Sequence, residues 1–246
     1  MKRLHVLGIG IDRISLDEAV ERSLDVMDKR ESRYVITPNS EFLLCALKSP
    51  GLCSAADSAF LSLPDSVGVL LVASILGLPL NEKIPGVDFA EALLEKMGQR
   101  GKSVFLLGAK KGIAEKASDK VSIKYPGLVI AGTSSGYYPP HDEDKLIERI
   151  NAASPDLLIV CLGSPKQELW MHKNAARLHI GLMAGLGGTI DVLAGAVDRA
   201  PLKWREAGFE WLYRVYREPK RILRVLRIPL VILVSLWYRI GGKIYE

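Results

Sequence analysis

Apolar residues in this chain fall into short unbroken runs separated by stretches of helical spacing. Tyr34 to Ile36, Ala59 to Leu63, Ser103 to Leu107, Leu128 to Ala131, Asp156 to Leu162 and Ile180 to Ala184 are such runs. Their length and their β-branched and aliphatic content predict strands. The run 156–162 shows no apolar/polar alternation, the mark of a strand buried on both faces. Leu4 to Ile11, closed by Asp12, reads as a first strand. Between the strands, Ser15-Leu16-Asp17-Glu18 is a capping box and predicts a helix to about Lys29. Phe42, Leu43, Ala46 and Leu47 recur at helical spacing behind Pro38, which suits a first helical turn. Further helices are predicted over 67–76, over 89–99, from Gly112 to roughly Lys120, over 142–153 and from Pro165 onward. Buried strands alternating with helices predict an α/β fold, a mostly parallel sheet with helices on both faces.

The last fifth of the chain follows a different pattern. From Lys220, a helical wheel places Lys220, Arg221, Arg224 and Arg227 opposite Ile222, Leu223, Val225 and Leu226. Pro229 reads as an interruption, and Leu230 to Ile240 is almost wholly apolar. Eleven residues are too few to cross hydrocarbon, which takes about 20. A basic amphipathic helix followed by an apolar one with Trp237 and Tyr238 is an interfacial pattern. The competing reading is a terminal helix packed on the core with a solvated basic face. Charge sharpens the division. Residues 199–246 hold 11 Lys and Arg against 4 Asp and Glu, while the whole chain nets only +5. A local basic block points to an anionic partner. The expected division is therefore a core over 1–195 and an appendage over 196–246. Three scattered cysteines without metal spacing and a short, Asp-closed N-terminal apolar run suit a reducing cytoplasm and no targeting signal.

Several strand ends carry candidate chemistry. Thr37-Pro38-Asn39 joins a strand to a helix N-terminus, a corner that either faces a phosphate or caps the helix through Thr37. Asp65 follows a strand in Pro64-Asp65-Ser66, a turn signal that also places a carboxylate where a hydroxyl nucleophile could lose its proton. Gly163-Ser164-Pro165-Lys166-Gln167-Glu168 opens a helix after the buried strand; Gln167 could bind a sugar or base amide, and Glu168 suits the helix dipole. Gly108-x-x-x-Gly112 and Gly185-Leu186-Gly187-Gly188 fall short of the dinucleotide fingerprint, and no P-loop is present, which argues against a nucleotide-dependent oxidoreductase. Asp142-Glu143-Asp144 resembles a divalent-ion motif but also suits the acidic first turn of a helix.

Together these residues resemble the WecG/TagA/CpsF glycosyltransferase family. The resemblance is carried by Thr37-Pro38-Asn39, Pro64-Asp65, Pro85-Gly86-Val87-Asp88, Phe105 to Gly108, Gly163 to Glu168, Gly187 to Val192, Arg199-Ala200-Pro201, Glu210 to Arg214 and Arg217-Glu218-Pro219, in one order along nearly the whole chain. It implies a Rossmann-like core with a helical, membrane-associating C-terminal appendage. It implies inverting transfer of N-acetylmannosamine from UDP to undecaprenyl-diphosphate-linked N-acetylglucosamine in a β1,4 linkage, a step of wall teichoic acid linkage-unit assembly. Relatives would use the uronic acid or glucose donor instead.

By the same resemblance Asp65 is the base and Thr37 positions the substrates. Substrate binding falls to Asn39, Lys83, Asp88, Gly108, Gln167, Gly187 and Asp191. Arg214, Arg217, Arg221 and Arg224 would meet the lipid diphosphate and the membrane. Position 83 is more usually arginine in the family, and Lys83 keeps the charge without the bidentate fork. No cofactor and no resident metal are implied. The implied partners are a UDP-sugar donor, a polyprenyl-diphosphate-linked acceptor and an anionic membrane surface, with a homo-oligomer left open. The implied place is the inner face of the plasma membrane. A non-catalytic module that binds anionic lipid or nucleic acid through the basic tail is the rival from another class; the tail's apolar face argues against nucleic acid.

Overall fold

The computed structural model describes residues 2–201, 203–204, 210–217 and 227–241. The elements run β1 (Lys2–Val6), β2 (Ile9–Arg13), α1 (Leu16–Lys29), β3 (Arg33–Ile36), α2 (Ser40–Ala46), α3 (Pro50–Asp57), β4 (Leu61–Ser62), α4 (Val67–Ile75) and α5 (Gly86–Gln99). They continue with β5 (Ser103–Gly108), α6 (Ile113–Lys124), β6 (Val129–Ser134), α7 (Glu143–Ala153), β7 (Leu157–Cys161), α8 (Lys166–Asn174), β8 (Leu182–Gly185) and α9 (Thr189–Leu193). Two further helices are described, α10 (Glu210–Arg217) and α11 (Arg227–Ile240).

Six strands form one sheet in the order β4-β3-β8-β7-β5-β6. All its pairings are parallel. Successive strand residues enter two separate cores. Val35, Val104, Leu106, Ile159 and Ala184 pack with α1, α5, α6 and α9. Tyr34, Ile36, Phe105, Leu107, Leu158, Val160 and Met183 pack with α2, α3, α4, α7 and α8. Helices thus cover both faces, and every residue of β7 is buried, as the lack of alternation predicts.

The N-terminal segment corrects one expectation. Instead of a single first strand it is an antiparallel hairpin, β1 with β2, outside the main sheet. Leu7 and Gly8 both take left-handed backbone angles, φ 52° and 82°, the two-residue turn that matches strand twist. Asp12 then fixes the hairpin to the sheet. Its fully buried carboxylate accepts both Arg3 nitrogens at 2.8 Å and the Ser62 N–H at 2.8 Å. The hairpin thereby shields the β4 edge.

Other boundaries also move. The helix behind Pro38 stops at Ala46, and a second, α3, begins at Pro50 with Ser49 as its cap. The helix predicted over 89–99 begins earlier, at Gly86, so that Gly86 to Asp88 form the first turn of α5. Short α9 was not predicted. Pro229 lies in the first turn of α11, where a missing N–H costs nothing; residues 218–226, before it, lie outside the described residues. That helix rests on α2 and α4. It buries Val231 and Ser235 and leaves Leu230, Leu233, Leu236, Trp237 and Ile240 exposed. One face is therefore core-packed, as the bland reading held, while the other presents apolar side chains to the outside. Lys220, Arg221 and Arg224 lie outside the described residues.

Candidate active site

Parallel strands align their carboxyl ends, and open α/β sheets bind ligands there. The predicted residues gather along that edge. Thr37 follows β3. It is buried, and its hydroxyl donates to the Gly185 carbonyl at 2.9 Å, tying the ends of β3 and β8. It does not cap α2. Asn39 does, its Oδ1 accepting from the Phe42 N–H at 3.0 Å. The expected Thr37 cap is thus corrected: Asn39 supplies the cap, and Thr37 braces two strand ends.

Asp65 stands just past β4, half-buried. Its backbone N–H donates to the Pro38 carbonyl at 3.1 Å, and its Oδ1 accepts from the Gly86 N–H at 3.0 Å. Gly86 is the first residue of α5, so the carboxylate faces the positive end of a 14-residue helix. The Ile84 N–H to Pro64 carbonyl bond, at 2.8 Å, brings the Lys83 segment against the same turn. Thr37, Asn39, Asp65 and Lys83 therefore share one corner. Asp88, one turn into α5, points to a different partner: Arg199 Nη2 lies 2.5 Å from its Oδ1, and Arg199 Nη1 lies 3.6 Å from Glu91. That pairing anchors the segment after α9 onto α5.

In the middle of the edge, Gln167 is buried. Its Oε1 accepts from the Gly187 N–H at 3.1 Å, and its Nε2 donates to Glu168 Oε1 at 3.0 Å. Gly187 and Asp191 flank the start of α9. Gly108 ends β5 at φ 149°, and a side chain there would meet the Cys161 carbonyl at 2.5 Å, so only glycine lets β5 and β7 end side by side. Cys161 is fully buried, and its thiol is pushed up to about 12, mainly by desolvation. It is no nucleophile.

Sequence reasoning missed the far end of the edge. Beyond β5 and β6 lies an open cleft of about 540 Å³ lined by Lys110, Lys111, Glu115, Thr133, Ser134, Ser135, Tyr137 and Arg149. Three cations against one carboxylate, an exposed tyrosine ring and three hydroxyls suit a nucleotide. The available signal was the lysine pair inside Gly108-x-x-x-Gly112 after a strand.

The acidic run is taken up by cations: Asp142 by Lys145 at 3.0 Å, Glu143 by Lys173 and Asp144 by Arg177, both at 2.5 Å. Among the described residues no three His, Cys, Asp or Glu side chains converge as a metal site. In the tail, Arg217 pairs with Asp198 at 2.9 Å on the surface. Arg214 lies on α10, and Arg221 and Arg224 lie outside the described residues.

Comparison with known proteins places the whole chain in a family. The profile of the Glycosyl transferase WecG/TagA/CpsF family matches residues 4–244. A protein of Bacillus spizizenii named N-acetylglucosaminyldiphosphoundecaprenol N-acetyl-beta-D-mannosaminyltransferase is 36% identical over 203 residues, 82% of this chain and 78% of the relative. Its Bacillus subtilis namesake is 34% identical over the same shares. A Staphylococcus aureus protein of that name is 30% identical over 230 residues, 93% of this chain and 90% of its own length. With its candidate chemistry aligned on the carboxyl edge of a parallel sheet and a match across nearly its whole length, the chain belongs to the WecG/TagA/CpsF family of glycosyltransferases.

Proposed function

We propose that this glycosyltransferase moves N-acetylmannosamine from UDP to undecaprenyl-diphosphate-linked N-acetylglucosamine, the acceptor and sugar that its relatives' names carry. The observation that carries the reading is the placement of Asp65. Its carboxylate is held at the carboxyl end of β4 against the Thr37 corner, four strands from β5. Four strand spacings make about 19 Å, room for an extended nucleotide-sugar with its uridine end in the Lys110–Tyr137–Arg149 cleft and its sugar toward Asp65. Asp65 accepts the proton of the acceptor 4-hydroxyl as that oxygen attacks the anomeric carbon. The carbon–oxygen bond to UDP breaks in line, and the configuration inverts. Lys83, Lys110, Lys111 and Arg149 offset the charge on the departing diphosphate.

The acceptor's lipid places the site at a membrane surface. No helix among the described residues is long and apolar enough to cross a membrane. The outer face of α11, with exposed Leu233, Trp237 and Ile240, and the exposed Val67 and Leu71 of the adjoining α4 suit peripheral seating on the inner leaflet. The basic residues of 196–246, Arg214, Arg217, Arg221 and Arg224 among them, would meet the lipid diphosphate and bring acceptor and donor together.

A donor comparison tests the assignment. The full chain is given a short-chain lipid-diphosphate N-acetylglucosamine with UDP-N-acetylmannosamine, its uronic acid or UDP-glucose. Product from the first alone is expected. Product only from either of the others would keep the family and overturn the assigned sugar.

A further inference from the structure

Glu168 sits in the first turn of α8, 1% exposed, and Gln167 beside it is 2% exposed. Gln167 uses both ends of its amide, Nε2 toward Glu168 Oε1 at 3.0 Å and Oε1 toward the Gly187 N–H at 3.1 Å. An amide can take two flipped orientations, but a carboxylate only accepts. Glu168 therefore holds the Gln167 amino group, and the Gly187 N–H, which only donates, holds the carbonyl. The same side chain lies against Gly185, where an added Cβ would stand 3.2 Å from Gln167 Nε2. The Gly185 carbonyl is the group that takes the Thr37 hydroxyl at 2.9 Å. One chain of contacts thus runs from Glu168 through Gln167 to the β8–α9 turn and to Thr37.

The carboxylate is ill-suited to a purely structural role. Its Oε2 is buried without a hydrogen-bond partner. Desolvation raises its pKa, against weaker pulls from its own backbone amide, from Gln167 and from nearby Ser164. A buried carboxylate with one oxygen outside hydrogen-bond geometry costs stability, and an apolar group of the same shape would not.

We propose that Glu168 is a positioning residue for glycosyl transfer: its carboxylate locks the Gln167 amide in one orientation and, through Gly187 and Gly185, sets the β8–α9 turn and Thr37 for the sugar diphosphate. The proposal rests on the glycosyl-transfer reading above.

The test uses the full chain with Glu168→Met, which keeps the unbranched shape, and Glu168→Gln, which keeps an acceptor at the same reach. Three readouts are taken: melting temperature, kcat and KM for the donor, and the NMR resonances of the Gln167 side-chain amide and the Gly187 N–H. E168M is expected to melt at or above wild type yet lose roughly 10- to 100-fold in kcat, the scale of a small misplacement, with both resonances displaced. E168Q is expected to return kcat and resonances toward wild type. Wild-type kcat in E168M, or a parallel fall in melting temperature and activity that E168Q does not repair, would overturn the proposal. A wild type that transfers no sugar would instead refute the glycosyl-transfer reading. The resonances then decide the positioning claim by themselves, since amide signals unmoved in E168M contradict it.

Discussion

Asp12 and Glu168 are both buried carboxylates, and they do opposite things for the fold. Asp12 has every near partner it needs: a bidentate arginine and a backbone N–H. Asp12→Ala strands Arg3 beside the β4 edge and should cost about 3 kcal/mol, measured by urea unfolding. Glu168 is held above the ordinary carboxylate range by burial. The folded chain therefore binds this proton more tightly than the unfolded chain does. That contribution is complete below the ordinary carboxylate value and is lost as pH rises through the raised folded value. Glu168→Gln removes the slope, so its melting temperature should gain on wild type as pH rises from the acid range to neutrality. Neither role shows in the sequence, where Asp12 only closes an apolar run and Glu168 only suits a helix dipole. A carboxylate after a strand, as at Asp65, is readable from Pro64-Asp65-Ser66. Its tether to Gly86, and the burial of a first-turn acid such as Glu168, depend on contacts between segments that no local pattern encodes.

At the scale of elements, the central strands β7 and β8 were legible because burial on both faces leaves unbroken apolar runs, and most helices because apolar residues recur at helical spacing. The exceptions have local causes. The turn at Leu7 and Gly8 reverses the chain inside one apolar run, and a run has no mark of where it folds back. Ser49-Pro50, a cap followed by a first-turn proline, does announce α3 and divides it from the apolar residues of α2. Proline both starts and stops helices, and Pro229 stands at a start, in the first turn of α11. Element ends also fix tolerance to change. Gly108→Ala would place a methyl group against the Cys161 carbonyl at a left-handed position. It should cost more than about 1 kcal/mol and lower activity with it, read from melting and transfer rate together.

Over the whole molecule, the sheet separates two tasks. Its carboxyl edge carries the polar groups from Asp65 at one end to the Lys110–Arg149 cleft at the other, while α11 and α4 offer an apolar face that the fold itself leaves uncovered. Leu233 and Trp237 are 64% and 61% exposed, so replacing both with glutamate should leave melting unchanged. Binding to anionic vesicles in a sedimentation assay should fall by about tenfold or more. The central claim is that Asp65 takes the acceptor proton at that edge. It is tested most directly by the transfer rate of Asp65→Asn against wild type, with UDP-sugar affinity measured beside it. Asparagine keeps an oxygen for the Gly86 N–H, so fold and donor binding should hold. A fall in kcat of about 10²–10⁴-fold is expected. An Asp65→Asn chain that transfers sugar at the wild-type rate would contradict it.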